Sequence, residues 1–149
     1  MALSGAIANG AAILAAQAVG ADLAYIGSAF IATKEANAVE GYKQMIVDSG
    51  GEDIVHTNLF TGIHGNYLRS SIVNAGLDPD NLPVSDPSKM NFGSGGNTEA
   101  KAWKDIWGSG QGIGMVKAVE TVAQRVDRLE AEYHAAIAAL SAETAPFTG

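Results

Sequence analysis

The sequence predicts an α/β fold, and three features point to it. The first 33 residues read as strand, turn, helix and strand; both strands run into glycine turns; and one long amphipathic helix lies near the end.

Met1-Ala2-Leu3-Ser4 reads as the end of a buried strand, followed by the turn Gly5-Ala6-Ile7-Ala8-Asn9-Gly10. Small and aliphatic residues from Ala11 to Val19 favour a tightly packed helix, and Gly20 suits the left-handed position that ends one. Leu23-Ala24-Tyr25-Ile26 is expected to be a second short, buried strand, closed by Gly27-Ser28. Thr33 is the expected N-cap of a helix running to about Asp48, with Val39, Tyr42 and Ile46 on one apolar face and Gly50-Gly51 as its stop. Ile54-Val55-His56-Thr57 reads as a strand or extended segment. From Gly62 to Gly96 the chain is rich in Gly, Asn, Ser, Asp and Pro, so irregular excursions are expected, with one helical turn near Leu68 to Asn74. The last helix is expected from Lys117 to about Ala142, because Val119, Val122, Val126, Leu129, Tyr133, Ile137 and Leu140 recur every three or four residues. Glu120, Gln124, Arg125, Arg128, Glu130 and Glu132 fall on its other face, and the residues after Ser141 read as a loose tail. The chain thus divides into a βαβ unit over 1–33, a helix and loop-rich excursion over 34–116, and a terminal helix over 117–142.

With 149 residues the chain can bury the core of one domain, but a closed (β/α)₈ barrel needs roughly 250 residues. A formal charge of -7 opposes nucleic acid and anionic lipid alike. The absence of cysteine removes disulfides, thiolate nucleophiles and Cys-ligated zinc, and fits a reducing compartment. The Ala-rich stretch from Ala6 to Ala24 has no basic flank and is interrupted by Asn9 and Gln17, so it is read neither as a signal nor as a membrane span. A soluble, cytoplasmic protein is expected.

The two glycine turns, Gly5-Ala6-Ile7 and Gly27-Ser28, carry the most chemical information. Loops after neighbouring parallel strands open on one rim, so their backbone N–H groups can converge on an anion, with the Ser28 hydroxyl as a further donor. The helix beginning near Ala11 is expected to point its positive end at the same rim. Barrels build such a phosphate site after their seventh and eighth strands. The same turns are also an ordinary way to reverse a chain, and spacing alone leaves both readings open.

Elsewhere the residues are less specific. Asp78, Asp80 and Asp86 lack the alternating spacing and closing Glu of a calcium loop and read as turn formers, so no metal site is expected. Trp103 and Trp107, four residues apart, read as a packed anchor. A structural role is expected for His56 and a solvated position for His134. His64, in a glycine-flanked loop, is the best local candidate for touching a substrate, although a structural role is favoured there too.

Leu3 to Gly10, Ala15 to Asp22 and Tyr25 to Thr33, followed by Glu35, the Tyr42-Lys43 pair and Trp107-Gly108-Ser109-Gly110-Gln111-Gly112-Ile113-Gly114, resemble in order the C-terminal portion of nitronate monooxygenases, also called 2-nitropropane dioxygenases. The resemblance implies the C-terminal part of a (β/α)₈ TIM barrel, incomplete here, with a long C-terminal helix. It implies a flavoprotein oxidoreductase that uses FMN and dioxygen to turn alkyl nitronates into carbonyl compounds and nitrite. It places Gly5 and Ala6 at one phosphate turn and Tyr25, Ile26, Gly27 and Ser28 at the other, and brings Gly110-Gln111-Gly112 towards the flavin ring, where the alternative is a turn that initiates the terminal helix. Two positions depart from the family pattern, which has a second glycine where Ala6 stands and Thr where Ser28 stands. The family's catalytic histidine belongs to a loop with no counterpart in this sequence, so no catalytic residue is assigned. An FMN-dependent enoyl-acyl-carrier reductase shares these turns and is the alternative within the class. A non-catalytic chain that binds a complementary chain or forms a homo-oligomer through exposed sheet edges is the alternative outside it.

Overall fold

A computed structural model describes residues 1–85 and 105–145. Strand β1 (Ala2–Ser4), helix α1 (Gly10–Ala18) and strand β2 (Leu23–Tyr25) follow in the expected order. β1 and β2 pair in parallel with Leu3 opposite Ala24. The side chain of Asn9 caps α1 by accepting from the Ala12 amide at 2.8 Å, and Gly20, at φ +89°, turns the chain out of it. Ala24 packs with Ile7, Ala12, Ile13, Ala16 and Ala21 under α1.

One expectation fails here: both strands are largely exposed rather than buried, with Leu23 at 68% and Tyr25 at 67%. Side chains alternate across a sheet, so Leu23 and Tyr25 lie on the face opposite Ala24 and α1 covers only the Ala24 side.

The segment after β2 also differs from the sequence reading. A short helix α2 (Ser28–Ile31) forms at once, and the next helix, α3 (Glu40–Asp48), starts only after Val39. Thr33 is therefore not an N-cap. Its hydroxyl donates back to the Phe30 carbonyl at 2.7 Å, and its backbone bridges in parallel to Glu120. In α3, Ile46 is fully buried and Tyr42 is half-buried, while Val39, just ahead of the helix, is exposed.

The excursion holds more order than its composition suggests. Strands β3 (Ile54–Thr57) and β4 (Gly65–Leu68) pair antiparallel with Val55 opposite Tyr67, so a strand stands at 65–68 where irregular chain is expected. The expected helical turn is present as α4 (Arg69–Asn74). Asp78 accepts from the Asp80 amide, and Asp80 holds Arg69 at 2.9 Å, as turn formers do. Asp86 and Trp103 lie outside the described residues.

Helix α5 (Val122–Thr144) starts five residues later than expected. The preceding segment is drawn out alongside residues 32–34, with the Lys34 amide on the Glu120 carbonyl at 2.9 Å. Thr121 and Gln124 form a reciprocal capping box, and the Glu35 carboxylate accepts from the Val122 amide at 2.9 Å. The expected apolar stripe is mostly uncovered: Leu129 is buried, whereas Val122, Val126, Ile137 and Leu140 are exposed. Arg125, assigned by sequence to the polar face, is buried instead beside Glu120, 2.8 Å away. The Arg125 Nε–H does not point at the oxygen, so this pair is held by charge rather than by a directional hydrogen bond. Arg128 donates to the other Glu120 oxygen at 2.7 Å.

The larger core unites Ala8, Ala29, Ala32, Ile46, Leu68, Ile113 and Val116, tying α2, α3 and β4 to a 3-10 turn, Gln111–Met115. This places residues 110–112 over the ends of β1 and β2.

Candidate functional site

The turns after β1 and β2 do open on one rim. Between them lies a cleft of ≈ 200 Å³ lined by Gly5, Ala6, Tyr25, Gly27, Ser28 and Gly110, with Ile7, Ala8 and Gly112 on its walls. Five of the six residues singled out from the sequence therefore meet in one place. Ile26 does not: it turns inward and packs against both of the cores that flank the cleft.

The backbone is shaped for close approach. Gly5 sits at φ +107°, with nothing within 4 Å of the place a Cβ would occupy. Ala6 adopts φ +53°, a left-handed conformation unusual for a residue with a side chain. The glycine expected at Ala6 from the family pattern thus corresponds to a real demand of the turn, which alanine meets under strain. Opposite it, Gly112 is so close that an added Cβ would lie 2.9 Å from the Ala6 carbonyl carbon and oxygen.

Among the described residues, no turn or cap hydrogen bond uses the amides of Ala6, Gly27 or Ser28. The Ser28 hydroxyl accepts from the Gly110 amide at 2.7 Å and donates to nothing among the described residues, so its proton is available to a ligand. Among the described residues, no lysine or arginine lines the cleft.

The N-terminus of α1 does not contribute as expected. Its Gly10 amide donates to the Glu132 carboxylate at 3.0 Å, and an added Cβ at Gly10 would strike the Tyr133 backbone. The positive end of α1 is thus neutralised by α5. The role of Gly110 and Gly112 in closing the cleft was visible from the sequence only through the resemblance, since 82 positions separate Ser28 from Gly110.

The histidines stand away from the cleft lining. His56 and His64 stack at 5.1 Å between ring centroids, and His56 Nδ1 meets Asn66 Oδ1 at 2.8 Å, while His134 is exposed near Glu130. Trp107 stacks on Tyr42 at 5.1 Å, a packed anchor as expected. Among the described residues no His, Cys, Asp and Glu group could hold a metal, and no helix is long and apolar enough to cross a membrane.

Comparison with known proteins bears directly on this arrangement. The family model described as Nitronate monooxygenase matches residues 1–140. A nitronate monooxygenase of Paraburkholderia phytofirmans is 30% identical over 135 residues, which cover 87% of this chain and 36% of that protein. The solved structure of nitroalkane oxidase from Streptomyces ansochromogenes superposes with a TM-score of 0.68 at 30% identity, covering 94% of this chain and 41% of that one. FabK from Thermotoga maritima has the same TM-score at 20% identity, covering 95% of this chain and 46% of its own, a likeness of fold. The chain spans less than half the length of each of these relatives. Its described strands form two separate two-stranded sheets and no closed barrel. With the family model covering residues 1–140, which include the turns at Gly5, Gly27 and Gly110, the chain belongs to the nitronate monooxygenase family.

Proposed function

We propose that the glycine cleft holds the phosphate of FMN. On this reading the chain supplies the phosphate-binding part of a cytoplasmic enzyme that oxidises alkyl nitronates to carbonyl compounds and nitrite with dioxygen. The observation that carries it is the convergence of uncommitted amides at Ala6, Gly27 and Ser28 with a free Ser28 hydroxyl proton, in a chain of this family. With no cationic side chain among its described lining residues, the cleft would attract an anion through oriented N–H dipoles. The open space at Gly5 lets a phosphate oxygen reach the backbone.

Bound FMN would supply the electron transfer between substrate and dioxygen. The residues of this chain bind and orient. Gly5, Ala6, Gly27 and Ser28 would fix the phosphate, Tyr25 would shield it, and the Gly110–Gly112 turn would close the cleft from above. No proton-transfer role is assigned to His56, His64 or His134.

FMN titration, read by quenching of flavin fluorescence with circular dichroism in parallel, tests the reading. Saturable binding is expected, with at least tenfold weaker affinity in Gly27→Val at unchanged circular dichroism and in Gly5→Val, which the φ of +107° also strains. Binding indifferent to both substitutions would overturn the site. Nitrite release from a nitronate would separate this activity from an FMN-dependent enoyl-acyl-carrier reductase sharing the cleft.

A second reading is favoured by the exposed Leu23 and Tyr25, which suit a chain that acts by binding a complementary chain or a second copy of itself. A stable monomer that binds FMN and releases nitrite in the presence of oxygen would count against it.

A further inference from the structure

A second cavity, of ≈ 230 Å³, is walled by Tyr42, Phe60, Thr61, Tyr67, Ile106 and Trp107. Its aromatic rings are held in place: Tyr42 stacks on Trp107, and Phe60 meets Tyr67 edge to face at 4.9 Å. Among the described residues no charged side chain lines it.

Its polar atoms are almost all committed elsewhere. The Tyr42 hydroxyl donates to the Gly108 carbonyl. The Thr61 hydroxyl donates to the Ile63 carbonyl at 2.8 Å and accepts from the Ile63 amide at 3.3 Å. The Trp107 amide donates to Ser71 Oγ at 3.1 Å. The Tyr67 hydroxyl alone among the wall hydroxyls has no hydrogen-bond partner among the described residues.

We propose that this cavity receives the hydrocarbon portion of the substrate, with the Tyr67 hydroxyl as its single hydrogen-bond donor. A charged or strongly polar occupant would lose its hydration without recompense against these walls. An apolar cavity of roughly 150 Å³ accommodates benzene, so this one has room for a ring with a short side chain or for a straight chain of about six to eight carbons. Gly108 borders the aromatic cavity and Gly110 borders the glycine cleft. Two residues span about 7 Å at most, which brings an occupant of the cavity close to a cofactor anchored in the cleft. The inference rests on the preceding functional reading only for the chemistry of the substrate's head group.

The test uses the full chain carrying Trp103→Phe, so that Trp107 is the fluorescent reporter, without FMN. Straight-chain 1-nitroalkanes and 1-alkanols from two to ten carbons are titrated. The dissociation constant is expected to fall about fourfold per added methylene and to level off near six to eight carbons. Tyr67→Phe is expected to weaken the nitroalkanes several-fold while leaving toluene, which has no acceptor, unchanged; Thr61→Phe, which fills the cavity, is expected to abolish binding of both. Affinity independent of chain length, or binding that survives Thr61→Phe in a folded chain, would overturn the proposal. FMN titration of the same proteins separates the two sites. FMN binding without chain-length dependence removes the cavity alone, and chain-length dependence without FMN binding removes the cleft reading and leaves the cavity.

Discussion

Ala6 holds a methyl group where the backbone favours glycine, at φ +53°. The left-handed conformation costs an ordinary residue about 1–2 kcal/mol, and a β-branched side chain fares worse. Ala6→Val is therefore expected to destabilise the chain by about 1–2 kcal/mol. Ala6→Gly gains the relief of strain but loses about 0.4–1 kcal/mol to the freer unfolded chain, so its stability should lie close to that of the native sequence. Urea unfolding of the three proteins checks the order, and a valine variant as stable as the glycine one would contradict it. Tyr42 gives a pH signature. Burial pushes its phenol above the ordinary value of 10.0, consistent with a hydroxyl that donates to the Gly108 carbonyl. Between that ordinary value and the raised folded one, the folded chain retains a proton that the unfolded chain has lost. The linkage slope is then negative, so this contribution is complete below pH 10 and is lost as pH climbs through the folded pKa. Tyr42→Phe should lower stability at pH 8 by about 1 kcal/mol, the lost hydrogen bond, and flatten the decline above pH 10. An unchanged alkaline slope in the variant would show that another group governs it.

At the scale of elements, Glu120 and Arg125 decide how α5 joins the rest. Burial lowers the Arg125 pKa from its ordinary value, and the charge of Glu120 opposes that shift. Removing one partner strands the other, a loss of about 3–5 kcal/mol for a buried pair. Glu120→Gln is expected to cost that much, and Glu120→Gln with Arg125→Met to recover most of it. Thermal unfolding of the single and double variants measures the coupling, and a mild single variant would mean that the pair is solvated in practice. The same pair shows why the terminal helix was only partly legible. A three-and-four spacing of Val and Leu fixed that a helix exists, but Arg125 is buried because Glu120 waits across the bridge to Thr33, a contact between residues 87 positions apart in its nearest backbone link. The Thr33 hydroxyl likewise donates back to the Phe30 carbonyl, because α3 starts only at Glu40, seven residues further on. By contrast, the turns at Gly5 and Gly27 were legible because a glycine directly after a short apolar strand marks a turn. That they share one cleft followed from parallel pairing alone. The missed strand β4 contains Gly65 and Asn66, poor strand formers whose ladder is set by β3 rather than by their own preference.

For the whole molecule, the distribution of apolar surface sets the last expectation. Leu23 on β2, Val19 at the end of α1, and Val126, Ile137 and Leu140 on α5 are all exposed. Soluble monomers seldom leave large apolar areas uncovered, and surplus areas of this kind mark contact surfaces. The outer edges of β1 and β2 add unpaired backbone groups to that surface, since among the described residues each pairs only with the other. Against association stands a charge of -7, whose repulsion weakens as salt is raised. The chain is therefore expected to self-associate at micromolar concentration, more strongly at 0.5 M than at 0.05 M salt. Leu23→Glu with Val126→Glu should suppress this by placing charge on the apolar surface. Neither position packs in a core, so surface substitution effects of about 0.5 kcal/mol or less on stability are expected. Sedimentation velocity across a concentration series at the two salts reads the outcome. A native chain that stays monomeric throughout would mean that these residues are tolerated exposure rather than a contact surface. Association that falls with added salt would assign it to charge pairing instead of apolar burial.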